Sequence, residues 1–405
     1  MDAGRVPTVG PRQATGRRLQ AGLLLALTVL LAACSGPTLP RISLPRISNP
    51  LAGAAPGGSA GRYGSVQAFV PQAERFIEAH RGLKFKRPVK VQYLDDQAFN
   101  RRIVQIQRKD QSDTERQAKV LRALDLVPAG LDVEHAEESL LSGQVIGYYD
   151  PETKELAVRG TTASPAVRHV VVHELTHALQ DQWFDLAAHQ KNLGDDASEA
   201  YSALVEGDAV RIEREYVSTL SAADQRQIAS GDVGGPPPSN TPAALIAQLE
   251  FPYAVGPRLV QAILAARGQA GLNQAFLNPP TNTSQAIHPD RYLAGQAAVQ
   301  VADPSPDGAA FDHGTVGELG LDLMLGDLVQ SGSLSSDQVS TALQAWTGDR
   351  YVAWTSGSQS CVRARFAASG PAGSRAMVAD LQKWVSSHSG ATLQTGDQPV
   401  LTRCG

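Results

Sequence analysis

Three residues with the potential for catalysis lie in one apolar stretch of the chain, where His173, Glu174 and His177 form the pattern His-Glu-x-x-His. Side chains four residues apart lie on one face of an α-helix, so the two imidazoles can bind one metal ion. Glu174 is rotated by about 100° from His173 and can reach a metal-bound water without binding the metal itself. Zn²⁺ lowers the pKa of such a water to roughly 7. The pattern therefore predicts metal-assisted hydrolysis.

The residues around this motif predict the helix that the chemistry requires. Ser164 and Pro165 are typical of an N-cap and a first helical position, and apolar residues between Val167 and Leu179 supply a face to bury. Buried His and Glu side chains are costly unless they have partners, and a metal ion provides one. The alternative is a chance pattern on an ordinary helix, which the small number of histidines, 9 in 405 residues, disfavours.

The motif resembles that of the zincin metallopeptidases. The resemblance implies a zincin-like fold, bound Zn²⁺ and a peptide or protein substrate. In zincins, the strand before the motif helix lies at the edge of the cleft and pairs with extended substrate. Residues 144–158 contain two β-rich runs around a turn at 150–153 and predict a hairpin at this place. An ordinary structural hairpin is an equally open interpretation.

The third metal ligand of the gluzincin branch is a glutamate on a second helix. Residues 196–213 predict such a helix and place Glu199, Glu206 and Glu213 on one stripe, seven residues apart. Glu206 is the predicted ligand, because the small residue Gly207 beside it allows two helices to approach closely.

Other assignments of the third ligand remain open. Glu199 is the second choice, since its spacing from the histidines is closer to that of the best-known gluzincins, and Asp208 is a further candidate. Glu213 lies among charged residues and is predicted to be solvated. The sequence departs from the gluzincin pattern Glu-x-x-x-Asp, because neither Ala203 nor Val210 is acidic. A stripe of glutamates on an exposed helix face is the structural alternative.

A wider resemblance links the chain to uncharacterised exported bacterial proteins classed as metallopeptidases. It covers most of residues 140–355 and conveys no substrate. The matching segments are His-Glu-Leu-Thr-His-Ala-Leu-Gln-Asp-Gln at 173–182, Ala-Leu-Val-Glu-Gly-Asp-Ala at 203–209, Phe-Pro-Tyr at 251–253 and His-Pro-Asp-Arg-Tyr at 288–292.

Zinc peptidases usually have a Tyr, His or Arg that stabilises the oxyanion and contributes on the order of 3 kcal/mol. His288 is the predicted residue for this role, and Tyr253, Tyr292 and His313 are the alternatives. Each of these four side chains is also explained by an ordinary loop or packing role.

The N-terminal residues predict a lipoprotein signal peptide over residues 1–33. Arginines precede an apolar run at 21–33 that is short for a membrane span and ends in small residues. Residues 31–34 resemble the lipobox of bacterial lipoproteins. The resemblance implies cleavage before Cys34, lipid attachment to its thiol and a location on the outer face of a bacterial membrane. A plain secretory signal with an unrelated cysteine is the alternative.

Residues 34–62 predict a tether, because Pro, Gly, Ser and Ala dominate and large apolar residues are few. Cleavage would remove four arginines and one aspartate, a net charge of +3, so the formal charge would change from −4 to −7. This charge argues against nucleic acid as a partner.

Cys361 and Cys404 are the two cysteines that remain after Cys34. In an exported protein, such a pair predicts one disulfide. Two free buried thiols are the alternative, because sequence alone does not show the distance between them.

These observations predict an α+β protein, mostly helical, with a small sheet and a hairpin next to the motif helix. We expect a zincin-like catalytic domain over 63–230 and a helical and α+β part over 231–405 that completes the cleft. The predicted function is a lipid-anchored zinc metallopeptidase with Glu174 as general base. Two alternatives stay open: a zincin-derived binding or assembly lipoprotein without activity, and a hydrolase of a non-peptide cell-wall amide.

Overall fold

The chain folds into helices around two small sheets, which confirms the predicted α+β class. The structure is a computed structural model that describes residues 26–27, 63–109, 111–142, 145–191, 193–229 and 238–405. The predicted cleavage and lipidation site at Cys34 and the tether lie outside these residues. In the described part of the chain, no helix has both the length and the apolar character needed to cross a membrane.

Helices form most of the described chain. They are α1 (Val66–Arg81), α2 (Asp96–Lys109), α3 (Gln111–Ala123), α4 (Val133–Ser142), α5 (Pro165–Phe184), α6 (Leu186–Gln190), α7 (Asp195–Ser218), α8 (Ala222–Ala229), α9 (Ala243–Leu277), α10 (Thr283–Ile287), α11 (Pro289–Leu293), α12 (Gly317–Gln330), α13 (Ser336–Ala345) and α14 (Gly370–Ser387). The strands are β1 (Ala26–Leu27), β2 (Lys90–Leu94), β3 (Gly147–Asp150), β4 (Glu155–Arg159), β5 (Ala310–Gly314), β6 (Trp346–Ser356), β7 (Gln359–Ala368), β8 (Ala391–Gln394) and β9 (Val400–Cys404).

The predicted hairpin is present and belongs to the first sheet, whose strand order is β1-β3-β4-β2. β3 and β4 pair antiparallel, with Tyr148 opposite Ala157, and β2 pairs parallel to β4. The other edge of β3 pairs antiparallel with β1, where Ala26 lies opposite Tyr149.

The second sheet is antiparallel and has the order β5-β6-β7-β9-β8. Cys361 of β7 lies opposite Cys404 of β9, and the two form a disulfide across the strand pair. The predicted disulfide is thus confirmed. Together with α12, α13 and α14, this sheet encloses a hydrophobic core of its own.

Helix α5 is buried on nearly all sides and lies against α1, α7 and β3. As predicted, Ser164 is its N-cap and Pro165 its first residue; Ser164 Oγ accepts a hydrogen bond from the N–H of Val167 at 3.3 Å. Helix α7 packs on α9 so closely that a Cβ on Gly207 would lie 2.2 Å from the carbonyl carbon of Gly256. One core includes residues of α1, α5, α7 and α9, so both sides of the boundary predicted at 230 share it.

The polar segment 278–292 contains the short helices α10 and α11. Before it, helix α9 begins at Ala243 and passes through Pro252 and Pro257. Buried side chains such as Phe251, which is fully enclosed, stabilise the helix despite the hydrogen bonds that proline removes.

Candidate metal centre

Two helices bring three side chains together in the interior. His173 and His177 lie one turn apart on α5, and Glu206 faces them from α7. Glu206 Oε2 lies 3.0 Å from His173 Nε2 and 3.4 Å from His177 Nε2. One potential ligand atom from each residue lies within 4.8 Å of the others. The structure thus brings together the two predicted histidines and the preferred third ligand.

The charges of this cluster depend on one another. Burial alone would raise the pKa of Glu206, but the charge of His177 and the hydrogen bond and charge of His173 lower it to about 2. Burial opposes the protonated form of His173, yet hydrogen bonds to Glu206 and Glu213 raise its pKa well above the ordinary value. Glu206 is therefore a carboxylate, which is the form that binds a metal ion.

Glu213 is not solvated, which corrects the prediction. One carboxylate oxygen lies 2.9 Å from His173 Nδ1, and the other lies 2.7 Å from Nδ1 of His169, one turn earlier on α5. Hydrogen bonds to both histidines lower the pKa of Glu213 although burial acts in the opposite direction. Glu213 therefore orients the ring of His173 through the nitrogen that does not face Glu206, as outer carboxylates do at metal sites.

His177 has a different outer partner, the amide oxygen of Gln180, which lies 2.9 Å from Nδ1. His177 Nε2 is buried and makes no hydrogen bond within the described residues. A buried polar atom without a partner is costly, and a metal ion bound by both Nε2 atoms and Glu206 would satisfy it. Two imidazoles and one carboxylate suit Zn²⁺ best among the common ions. The residues present therefore fit a metal ion.

Glu174, the predicted base, is buried beside the hairpin. Its Oε2 accepts the N–H of Tyr149 at 2.7 Å. The hydroxyl of Tyr149 donates to Asp181 Oδ2 at 2.7 Å, and Lys154 Nζ lies 2.9 Å from Asp181 Oδ1. These contacts fix the hairpin against α5 and hold Glu174 at the edge of β3 that faces away from β4.

Tyr253 of α9 lies at the same place. Its ring centroid is 6.3 Å from that of His173. Burial raises the pKa of Tyr253 well above its ordinary value, and the charges of Glu206 and Glu174 and a hydrogen bond to Glu206 raise it further. The hydroxyl is therefore neutral and donates its hydrogen bond to Glu206.

Two of the other predicted oxyanion residues, His288 and Tyr292, contact residues outside the candidate metal centre, and the third, His313, is exposed. His288 was the preferred choice, but its Nε2 lies 2.7 Å from Glu318 Oε1. The hydroxyl of Tyr292 donates to the carbonyl oxygen of Asn278 at 2.8 Å, and His313 is an exposed residue of β5. Tyr253 therefore replaces His288 as the candidate.

The two alternative third ligands also lie outside the cluster that the described residues form. Burial and the charges of two neighbouring aspartates raise the pKa of Glu199 to about 8. Asp208 forms a buried ion pair with Arg81, whose Nε lies 2.6 Å from Asp208 Oδ2, and it also binds Arg211. These partners account for Asp208 without a metal.

Sequence reasoning missed His169, Gln180 and Glu213 as supporting residues. A signal for two of them was present, because His169 precedes His173 by one helical turn and Glu213 follows Glu206 by two. Charged neighbours made Glu213 resemble a surface residue. Gln180 follows His177 by three residues, and this spacing of about one helical turn was its only signal in the sequence.

Comparisons with protein-family models, with curated proteins and with solved structures found no match to this chain. Function is therefore inferred from the geometry of the site.

Proposed function

We propose that this protein is a zinc metallopeptidase with a zincin-like centre. The observation that supports it most strongly is the convergence of His173 Nε2, His177 Nε2 and Glu206 at one buried point. A carboxylate that is not part of this ligand set, Glu174, lies on the same helix and is fixed by the N–H of Tyr149. This combination favours hydrolysis, because a purely structural site needs no base.

His173, His177 and Glu206 would hold the metal. A bound Zn²⁺ would polarise the scissile carbonyl and lower the pKa of a water molecule. Glu174 would take a proton from the attacking water and pass it to the leaving amine. The hydroxyl of Tyr253 would donate a hydrogen bond to the oxyanion, a contact of the kind whose loss costs about 10²–10³-fold in turnover.

An extended peptide is the substrate class that the edge of β3 favours. Glu174 lies at this edge, and Tyr148 and Tyr149 pair there with Ala26 and Leu27 of the same chain. Backbone pairing with an exposed strand edge is a general mode of peptide binding. Removal of the predicted signal peptide would make this edge available to a substrate.

A closed metal site in a binding lipoprotein is the second candidate, and the burial of the centre favours it. The exposed fraction is 0% for His173, Glu174 and His177 and 2% for Glu206. Structural zinc sites are closed, whereas catalytic sites keep a position for water or substrate. The two candidates differ in what they require of Glu174.

The substitution Glu174→Gln tests the proposal, because it removes the base and leaves the ligands in place. We expect zinc content and folding to persist, while turnover of a peptide substrate identified by library screening falls by about 10²–10⁴-fold. Tyr253→Phe should also keep zinc and lose turnover.

Zinc binding without cleavage of any peptide by the wild type would favour the binding lipoprotein. Cleavage of cell-wall amides alone would change the substrate class. Full activity of Glu174→Gln would show that Glu174 is not the base.

A further inference from the structure

A series of hydrogen bonds leads from His177 away from the metal centre to a buried ion pair. His177 Nδ1 lies 2.9 Å from Gln180 Oε1, and Gln180 Nε2 lies 3.1 Å from Asp208 Oδ2. Arg81 Nε lies 2.6 Å from the same carboxylate oxygen. All four residues have an exposed fraction of 0%, so water does not compete for these contacts.

The direction of each hydrogen bond follows from the groups that form the series. The guanidinium of Arg81 only donates, so Asp208 accepts. Gln180 Nε2 lies 3.1 Å from a second acceptor, the carbonyl oxygen of Val205. If the amide were turned around, its oxygen would face two other acceptors, the carbonyl oxygen of Val205 and Asp208 Oδ2. The amide oxygen must therefore face His177. Because that oxygen only accepts, the Nδ1 of His177 must carry the proton.

We propose that Arg81 and Asp208 act through Gln180 as a positioning pair that selects the tautomer of His177. With the proton on Nδ1, the lone pair of Nε2 is directed at the point shared with His173 and Glu206. Glu206 Oε2 lies 3.4 Å from His177 Nε2 without forming a hydrogen bond to it, so the shorter contact with Gln180 sets the tautomer. The functional meaning rests on the proposed metal centre, but the tautomer belongs to the metal-free chain as well.

Stability alone is a weak explanation for this ion pair. A buried pair can often be replaced by apolar residues of similar volume with little loss of stability, whereas removal of one partner is strongly destabilising. Arg81 also donates to Asn273 Oδ1 at 2.7 Å and lies 5.6 Å from the ring centroid of Phe276. Arg81 thus joins α1 to α9 as well as to α7, and it shares Asp208 Oδ2 with Gln180.

Two variants separate positioning from a structural role. The double variant Arg81→Met with Asp208→Leu removes the pair, while Arg211, which also contacts Asp208, keeps its ion pair with Glu215. Gln180→Met keeps the pair and removes the link to His177. The readouts are the tautomer of His177 in metal-free, ¹⁵N-histidine-labelled protein at pH 8 by NMR, and Zn²⁺ affinity by competition with a chelator. The matched control removes an exposed pair by Arg350→Met with Asp303→Leu.

We expect the wild type to carry the proton on Nδ1 of His177. Both variants should fold, lose this preference and bind Zn²⁺ about 10–100-fold more weakly, the usual effect of losing an outer partner. The control should match the wild type in both readouts.

A wild-type proton on Nε2 would overturn the inference, as would variants that fold with unchanged tautomer and affinity. If the double variant does not fold, the results for Gln180→Met and the tautomer of the wild type decide whether the inference holds. A wild type with the expected tautomer but no affinity for Zn²⁺ would contradict the proposed function and leave the inference standing.

Discussion

At the scale of single residues, the assignment of the third ligand depends on which glutamate of α7 points at the histidines. Glu206 Oε2 lies within 3.4 Å of both Nε2 atoms, whereas Glu199 is not part of the cluster. We expect Glu206→Gln to lose more zinc affinity than the roughly 10–100-fold caused by loss of an outer partner, because an amide is a poor ligand.

Glu199→Gln is the matched control for this prediction, since it makes the same change on the same helix. It should keep wild-type affinity in a chelator competition. The reverse result would transfer the ligand role to Glu199.

The raised pKa of Glu199 also predicts how the stability of the folded protein depends on pH. Burial and the charges of Asp195 and Asp196 raise its pKa in the folded protein to about 8, from an ordinary value of 4.5. A raised carboxyl pKa means that the folded state binds the proton more tightly, so this contribution to stability is complete below pH 4.5 and is lost as the pH rises through 8.

Glu199→Gln cannot ionise and should not lose this contribution. Relative to the wild type, its Tm should therefore increase between pH 5 and pH 9 by at least ~2 °C, the shift that ~1 kcal/mol causes in a large domain. Thermal unfolding followed by circular dichroism at both pH values provides the measurement. An equal Tm difference at the two pH values would show that Glu199 is ionised throughout.

The sequence predicted the candidate metal ligands and base better than the residues that contact them. His173, Glu174 and His177 share one helix, so local spacing alone places them together. Glu213 accepts hydrogen bonds from His169 and His173 of another helix, and its charged neighbours gave no sign of that contact. Tertiary contacts decided its environment.

At the scale of elements, the crossing of α7 and α9 positions Glu206 and Tyr253. A Cβ on Gly207 would lie 2.2 Å from the carbonyl carbon of Gly256, and one on Gly256 would lie 2.1 Å from the carbonyl oxygen of Ala203. Backbone atoms cannot yield as a flexible side chain can, so any added methyl group must separate the helices.

Gly207→Ala should therefore destabilise the protein by about 1–3 kcal/mol, the typical cost of overpacking, and should also weaken zinc binding because Glu206 moves with the helix. Denaturant unfolding and chelator competition measure the two effects. Gly130→Ala is the control, since no atom lies within 4 Å of its added Cβ. If Gly207→Ala were as stable as the wild type, helices α7 and α9 would be less closely packed than the structure shows.

The elements nearest the motif were predictable because their signals are local. Ser164 and Pro165 mark the start of α5, and the turn between two β-rich runs marks the hairpin. The start of α9 was not predictable in this way, because Pro252 lies inside the helix and only packing against α7 shows why the helix continues. Gly207 was predicted to allow close helix contact, but its partner Gly256 is 49 residues away in the sequence.

At the scale of the whole molecule, the candidate metal centre and the disulfide belong to different parts. The centre lies in the core formed by α1, α5, α7 and α9, and the disulfide joins β7 to β9 of the second sheet. The pairing of Cys361 with Cys404 was predictable from the small number of cysteines. The sheet that brings them together was not, since β7 and β9 pair across a sequence separation of 43 residues.

The lipobox resemblance predicts where the molecule resides. The wild type should fractionate with membranes and incorporate a fatty-acid analogue, whereas Cys34→Ala should be released or remain unprocessed, because the lipidated thiol is absent. Metabolic labelling followed by membrane fractionation provides the measurement. An unlabelled, soluble wild type would end the proposal of a lipid anchor without affecting the metal centre.

The zinc content of the purified protein tests the central claim most directly. Elemental analysis should find about one zinc ion per chain, which a strong chelator removes and added Zn²⁺ restores. His177→Ala, prepared in parallel, should retain its fold by circular dichroism and contain almost no zinc. A wild type without stoichiometric metal, or a His177→Ala variant with as much zinc as the wild type, would contradict the assignment of His173, His177 and Glu206 as a metal centre.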